Sequence, residues 1–496
     1  MEKLVILLLV CIGAFGIANV YGQSKKIVCY VGTWAFYRNG ACQFDVEKHI
    51  TQNFCTHLLY GFFGINNDGT IRLIDPDLDL DQEWRVGYIT KFQNLKLKFP
   101  GLKTIAAVGG WNEGSKKFSI VAASAELRKR FAVDAREFCL KYKFNGLDMD
   151  WEYPADRGGN VQVDKQNFVE LLKEIRSEFD KSKLILSAAV GATEFRGEIS
   201  YNIPLISKYL DFISLMAYDF HGPWNDSDPY GGFVTGLNSP LYVGPTDLTD
   251  REKQYNVNSS LHYWLSQGAP REKLILGIPL YGHTFALVDP NQHDIGAASN
   301  TAGTAHECLQ TGGAIGYNEI CKELEQWTRY WSKEQKAPYA VKGNQWASYD
   351  DIKSITLKTQ YILDHGLGGA MVWSLDTDDF IGVCGNGVYP LMNTIYRILN
   401  NGQTIPPSTV PPTTAIPTTT WSTQPTTSTT TPAPPGNEFK CSSDGRFPDP
   451  KDCSKFYVCS YNIAYHFTCA QGTLYNAKLE NCDYPQNVDC SQVESK

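Results

Sequence analysis

At 496 residues the chain has room for one large domain or several smaller ones, and its formal net charge of −8 and pI near 5.7 argue against nucleic acid or an anionic membrane as partner, since both select basic patches. Its 11 Trp and 27 Tyr permit binding of a neutral polymer by ring stacking and hydrogen bonds, although large cores use aromatics as well.

Residues 1–22 read as a secretory signal, with Lys3 as the positive start, an apolar run from Leu4 to Ile17, and Val20-Tyr21-Gly22 as a small-residue cleavage site before Gln23. The run is short for a membrane span of about 20 residues, and no other segment is long enough to cross. A secreted, extracellular protein is expected, in which disulfides are available. Asn225-Asp226-Ser227 and Asn258-Ser259-Ser260 fit the N-glycosylation sequon.

From Lys26 onward, apolar strand-like runs recur at Ile27–Gly32, His57–Phe63, Lys103–Gly109, Phe144–Pro154, Leu184–Val190, Phe212–Tyr218, Leu274–Leu280 and Gly369–Leu375. Amphipathic patterns such as Ala125–Tyr142 and Lys165–Phe179 lie between them. Eight strand–helix alternations with buried strands predict an α/β fold, a (β/α)8 TIM barrel, over 23–402. A doubly wound sheet is the alternative, but no glycine-rich phosphate turn follows the first strand. The interval 283–350 is too long for one helix; its short runs Ala314–Tyr317 and Trp346–Tyr349 predict a small α+β insertion forming one wall of a cleft.

Within the fourth run, Asp148, Asp150 and Glu152 alternate with Leu147, Met149 and Trp151. As a strand this segment aims three acids at one face and three large apolar side chains at the other. Residues two apart on that face sit roughly 6–7 Å from each other. In a sheltered site three such carboxylates cannot all ionise cheaply, so at least one holds a proton at neutral pH, as a general acid must. A solvated acidic face is the bland alternative. The large apolar opposite face argues against it, and Tyr153-Pro154 ends the strand with Glu152 at the C-terminal tip, where parallel α/β folds carry their chemistry.

Residues 403–435 contain 25 Thr, Pro or Ser in 33 positions, a composition that cannot bury a core; residues 403–436 are expected to be an extended, O-glycosylated linker. The module at 437–496 carries six cysteines, at 441, 453, 459, 469, 482 and 490. So small a domain needs staples, and without a CxxC pair three disulfides are favoured over zinc.

The segment Asn145-Gly-Leu-Asp-Met-Asp-Trp-Glu152 resembles the DxxDxDxE signature of glycoside hydrolase family 18 chitinases. Lys103-Thr-Ile-Ala-Ala-Val-Gly-Gly-Trp111, Ser214-Leu-Met-Ala-Tyr-Asp-Phe-His221 and Gly368-Gly-Ala-Met-Val-Trp-Ser-Leu375 extend the resemblance over residues 26–398. The tail, with 11, 5, 9, 12 and 7 residues between its cysteines, resembles the peritrophin-A type of chitin-binding module.

The resemblance implies retaining, substrate-assisted hydrolysis of β-1,4-linked N-acetylglucosamine, an exception to the two-carboxylate scheme that needs no cofactor or metal. It makes Glu152 the general acid and then base, has Asp150 orient the substrate acetamide, has Asp148 share a proton with Asp150, and has Tyr218 donate to the acetamide carbonyl. Trp373 matches the family's stacking tryptophan. Trp111, Asp219, Met216, Tyr30, Phe62, Tyr281 and Trp34 are further candidates for sugar contact, and so is Trp224; Trp34 and Trp224 fit core packing equally well. Two departures stand out. Asn145 occupies the first acidic position, and His283 stands where the family usually has Arg, so that a pH-dependent group replaces a fixed cation.

The catalytic part has seven cysteines. The resemblance implies Cys29–Cys55 and Cys321–Cys384, and in the tail Cys441–Cys459, Cys453–Cys490 and Cys469–Cys482. Cys139 reads as a free core thiol, and Cys42 and Cys308 are left unassigned, able to pair or not. Tyr457, Tyr461, Tyr465 and Phe467 are available for stacking on chitin or for the module's core.

The expected protein is therefore a secreted, monomeric endochitinase that binds chitin and chito-oligosaccharides. The alternatives are a chitin-binding lectin without catalysis, a matrix protein acting through its tail, and an enzyme cleaving N-glycan cores.

Overall fold

Eight parallel strands close on themselves: β1 (Lys26–Gly32), β2 (His57–Ile65), β3 (Lys103–Gly109), β4 (Gly146–Asp150), β5 (Ile185–Gly191), β6 (Phe212–Met216), β7 (Leu274–Pro279) and β8 (Gly369–Trp373). Each pairs with the next, and β8 pairs back to β1 through Lys26↔Gly369 to Cys29↔Val372, which completes the expected TIM barrel. The computed structural model describes residues 25–82, 85–224 and 233–403, and in the tail 439–441, 445–460, 463–469, 474–477, 481–483, 485, 488 and 490. The expected signal segment, nearly all of the linker and the Asn225 sequon lie outside the described residues. Among the described residues no helix is long and apolar enough to cross a membrane.

The alternation in β4 resolves into two cores. Leu147, Met149 and Trp151 face outward into the layer between barrel and helices, where the Trp151 ring stacks on Phe118 with centroids 5.4 Å apart and meets Phe168 edge-on at 5.6 Å. Burying side chains such as Leu147 and Met149 contributes about 1.5–3 kcal/mol each. That layer includes Phe131 and Phe138 of the helix Ala125–Lys141 and Phe168, Leu172 and Ile175 of the helix Asp164–Asp180. Ser124 caps the first of these by accepting from the Leu127 N–H. A separate inner cluster of Val28, Tyr30, Leu59, Ile105, Ala107, Ile275 and Met371 fills the barrel. The strand ends at Asp150, so Glu152 lies two residues beyond it, in the loop.

Gly109 makes β4's placement possible. It sits at φ +120°, and a Cβ there would lie 2.0 Å from the Asp150 carbonyl, a position only glycine tolerates.

After β7 the chain runs directly into the insertion, a six-stranded sheet in which Tyr281–Leu287 pairs antiparallel with Ala314–Gly316, Ser299–Ala302 and Gln345–Ser348. Phe285, Leu287, Tyr339 and Trp346 are its core. The sheet thus opens at Tyr281, ahead of the expected boundary, because this strand continues β7 after a single residue. Cys42 and Cys308 form a disulfide that ties the loop after β1 to this insertion; Cys29–Cys55 and Cys321–Cys384 are bonded, and Cys139 is a buried free thiol.

Among its described residues the tail has a three-stranded antiparallel sheet, Gly445–Pro448, Lys455–Ser460 and Ile463–Thr468, a two-stranded one, Leu474–Asn476 with Asn481–Asp483, and the disulfides Cys441–Cys459 and Cys453–Cys490. The Cys482 side chain, and with it the expected Cys469–Cys482 pair, lies outside the described residues, as do the side chains of Tyr461, Tyr465 and Phe467. Tyr457 stacks between Phe439 at 4.2 Å and His466 at 4.3 Å, all three rings nearly parallel. Both its faces are covered, so Tyr457 is a packing residue and offers no ring face to a sugar.

Candidate active site

The three acids gather at the C-terminal mouth of the barrel. Asp148 is fully buried and accepts two hydrogen bonds, from Tyr30 Oη to Oδ2 at 2.6 Å and from Ser187 Oγ to Oδ1 at 2.5 Å. Burial raises its pKa to about 6, against the lowering effect of those two bonds. Asp150 is buried without such help: its Oδ1 has no hydrogen-bond partner among the described residues. Desolvation, then the charges of Glu152 and Asp148, push its pKa well above the carboxylate range. The two aspartates are thus coupled through charge, while the Asp148 oxygens are engaged by Tyr30 and Ser187. Glu152 is 8% exposed, and desolvation raises its pKa to about 7 despite the nearby Arg157. A carboxyl group with that affinity is half-protonated near neutrality and exchanges protons readily, as a general acid requires.

Tyr218 lies two residues beyond β6, buried, its hydroxyl 3.7 Å from Met371 Sδ. Burial and the charges of Asp219 and Asp150 hold the phenol far above its ordinary pKa, so it remains a donor. Asp219 follows in the left-handed region at φ +55°. Its Oδ1 receives Tyr281 Oη at 2.5 Å and faces His283 Nε2 at 2.7 Å. His283 Nδ1 faces the Gly313 carbonyl at 3.0 Å. Trp224 meets His283 edge-on at 5.4 Å, and Met216 ends β6 beside the inner cluster.

Opposite them stands an aromatic wall. Trp373, the last residue of β8, stacks on Phe62 of β2 at 5.6 Å and meets Tyr30 of β1 at 5.3 Å and Trp34 at 6.1 Å. Trp34 lies in the short helical turn Thr33–Tyr37 that follows β1. Trp111, two residues after β3, is 54% exposed, with the Arg157 guanidinium 3.5 Å from its ring centroid. Arg157 also donates to the carbonyls of Trp111 and Glu152, at 2.7 and 3.1 Å.

The structure therefore brings Glu152, Asp150, Asp148, Tyr218, Asp219, Met216, Tyr281, Tyr30, Phe62, Trp34, Trp373 and Trp111 to one end of the barrel. Ser187 and Arg157 also reach the site without a signal in the sequence, Ser187 from inside an ordinary apolar strand and Arg157 from a loop.

Residues 26–378 match glycosyl hydrolases family 18, and residues 441–490 match the chitin binding Peritrophin-A domain.

The chain belongs to glycosyl hydrolases family 18.

Among similar family members, mouse chitotriosidase-1 is 36% identical over 94% of this chain and 96% of its own, and Manduca sexta endochitinase 35% identical over 95% and 96%. The crystal structure of the Ostrinia furnacalis group IV chitinase with allosamidin is 44% identical and superposes with a TM-score of 0.72, covering 77% of this chain and all of that one. Human YKL-39, described as a pseudo-chitinase that retains chito-oligosaccharide binding, is 35% identical with a TM-score of 0.69, covering 76% of this chain and all of that one. The protein is thus a family 18 glycoside hydrolase, a chitinase, joined to a chitin-binding domain.

Proposed function

We propose that this chitinase is secreted, acts as a monomer, and cuts internal β-1,4-N-acetylglucosamine linkages with retention, using the substrate's acetamide as nucleophile. The observation that carries this reading is the contrast between two neighbouring carboxyls: Glu152, with a pKa of about 7, and Asp150, buried with an oxygen that has no partner among the described residues. Glu152 protonates the leaving glycosidic oxygen while the acetamide oxygen attacks the anomeric carbon. The oxazolinium ion so formed is positive; Asp150 orients it and Asp148 adds negative charge behind it. Tyr218 donates to the acetamide oxygen, and Trp373 supplies the stacking floor. In the second step Glu152, now a carboxylate, takes a proton from water as the water oxygen attacks the anomeric carbon and the bond from that carbon to the acetamide oxygen breaks, regenerating the acetamide.

The tail raises the local concentration of enzyme on insoluble chitin through the linker. A binding-only role is the competing reading, favoured by likeness to YKL-39. Glu152→Gln separates the two. It is expected to abolish turnover of chito-oligosaccharides, by a factor of about 10²–10⁴ or more, while chitin binding persists. Near-normal turnover in the variant removes the mechanism; no turnover in the wild type leaves the binding role.

A further inference from the structure

Asn238 lies 2% exposed between the barrel mouth and the insertion, remote in sequence from the acids. All of its polar groups are engaged. Its Oδ1 accepts the Asp219 N–H at 2.9 Å, and its Nδ2 donates to the Tyr281 carbonyl at 3.0 Å. Its backbone N–H donates to Ser348 Oγ at 3.1 Å, and its carbonyl accepts the Phe220 N–H at 3.0 Å. One side chain therefore bridges the loop after β6 to the first strand of the insertion.

The next residue extends the grip. Ser239 Oγ donates to the Ala217 carbonyl at 2.7 Å, and Lys358 Nζ donates to Ser239 Oγ at 2.8 Å and to Asp350 at 2.7 Å, within a fully buried ion pair. Backbone is thus held at 217, 219 and 220, on both sides of Tyr218, and at 281.

That grip matters because of the conformation it holds. Asp219 occupies φ +55°, in the left-handed region that few residues with a Cβ adopt, aspartate more readily than most. Tyr281 meets Asp219 by its hydroxyl at one end and Asn238 by its carbonyl at the other. We propose that Asn238 is a positioning residue for the hydrolysis, acting through Asp219 and Tyr281 to fix the Tyr218–Asp219 corner against the substrate. The inference rests on the reading above that this corner contacts the sugar.

The test is a double-mutant cycle on kcat and KM with a soluble N-acetylglucosamine tetramer, comparing wild type, Asn238→Ala, Asp219→Ala and the double variant, with thermal melts of each. Asn238→Ala is expected to lower kcat/KM between about tenfold and a hundredfold, since small misplacements at a reacting centre cost on that scale. In the Asp219→Ala background the same substitution should cost measurably less than in the wild type, because the carboxylate that Asn238 positions is gone although the backbone N–H at 219 still bonds Asn238 Oδ1. Asn238→Asp keeps the acceptor for the Asp219 N–H and should recover part of the loss; it runs the same cycle if the alanine variant does not fold. Equal losses in both backgrounds, or no loss in Asn238→Ala while Asp219→Ala is impaired, overturn the positioning role alone. Full activity in Asp219→Ala overturns both this role and the assignment of the corner to substrate.

Discussion

Tyr30 reaches across the barrel interior to Asp148, its phenol donating to Oδ2 at 2.6 Å. The bond favours the charged acid and works against the burial that raises its pKa to about 6. Tyr30→Phe is therefore expected to move Asp148 further up. Hydrogen bonds to charged groups are worth about 1.5–3 kcal/mol, which corresponds to a loss of roughly tenfold to a hundredfold in kcat/KM. A pH–rate profile checks the direction: the acid limb should shift to higher pH, and an unmoved limb would remove Asp148 from the reaction.

Glu152 gives the alkaline limb, since it must carry a proton to act, and its pKa of about 7 places the fall in rate there. The same raised pKa has a stability consequence. A carboxyl whose folded pKa lies above its ordinary 4.5 contributes fully below that value, and the contribution is lost as pH rises through about 7. Glu152→Gln removes the buried charge. Its melting temperature should exceed that of the wild type at pH 8 and match it closely at pH 4; an equal difference at both would contradict the assignment.

Trp111 and Trp373 should respond differently to truncation. Trp111 is half-exposed, with Arg157 over its ring, so Trp111→Ala is expected to raise KM for long oligomers with little change in melting temperature. Trp373 packs against Tyr30, Phe62 and Trp34, and Trp373→Ala should cost about 3–5 kcal/mol of stability as well as activity. Comparing denaturant midpoints with kinetics separates the two effects.

What could be read in the sequence was local. The period-2 pattern from Leu147 to Glu152 announced both faces of β4, and the eight apolar runs announced the barrel. The site's support was not local. Ser187 and Asp148 meet because β4 and β5 pair at Asp148↔Ser187, and Asn238 touches Asp219 and Tyr281 only once the insertion has folded back. The Cys42–Cys308 bridge spans 266 residues, a separation at which no spacing rule operates. Tyr457 could be assigned to the module's packing only from its neighbours, Phe439 and His466, which stack on its two faces.

Removing residues 437–496 is expected to leave turnover of soluble oligomers unchanged and to slow release of sugar from insoluble chitin, because only the second depends on a raised local concentration. Assays of both substrates with the truncated enzyme decide the matter, and equal losses on both would count against the tether.

The Cys42–Cys308 bridge makes a covalent ring of more than half the barrel, from the loop after β1 to the insertion. A peptide bond hydrolysed anywhere inside that ring releases no fragment. Such a nicked enzyme should migrate as one species on a non-reducing gel and as two after reduction, so that a protease can cut this chain there without taking it apart.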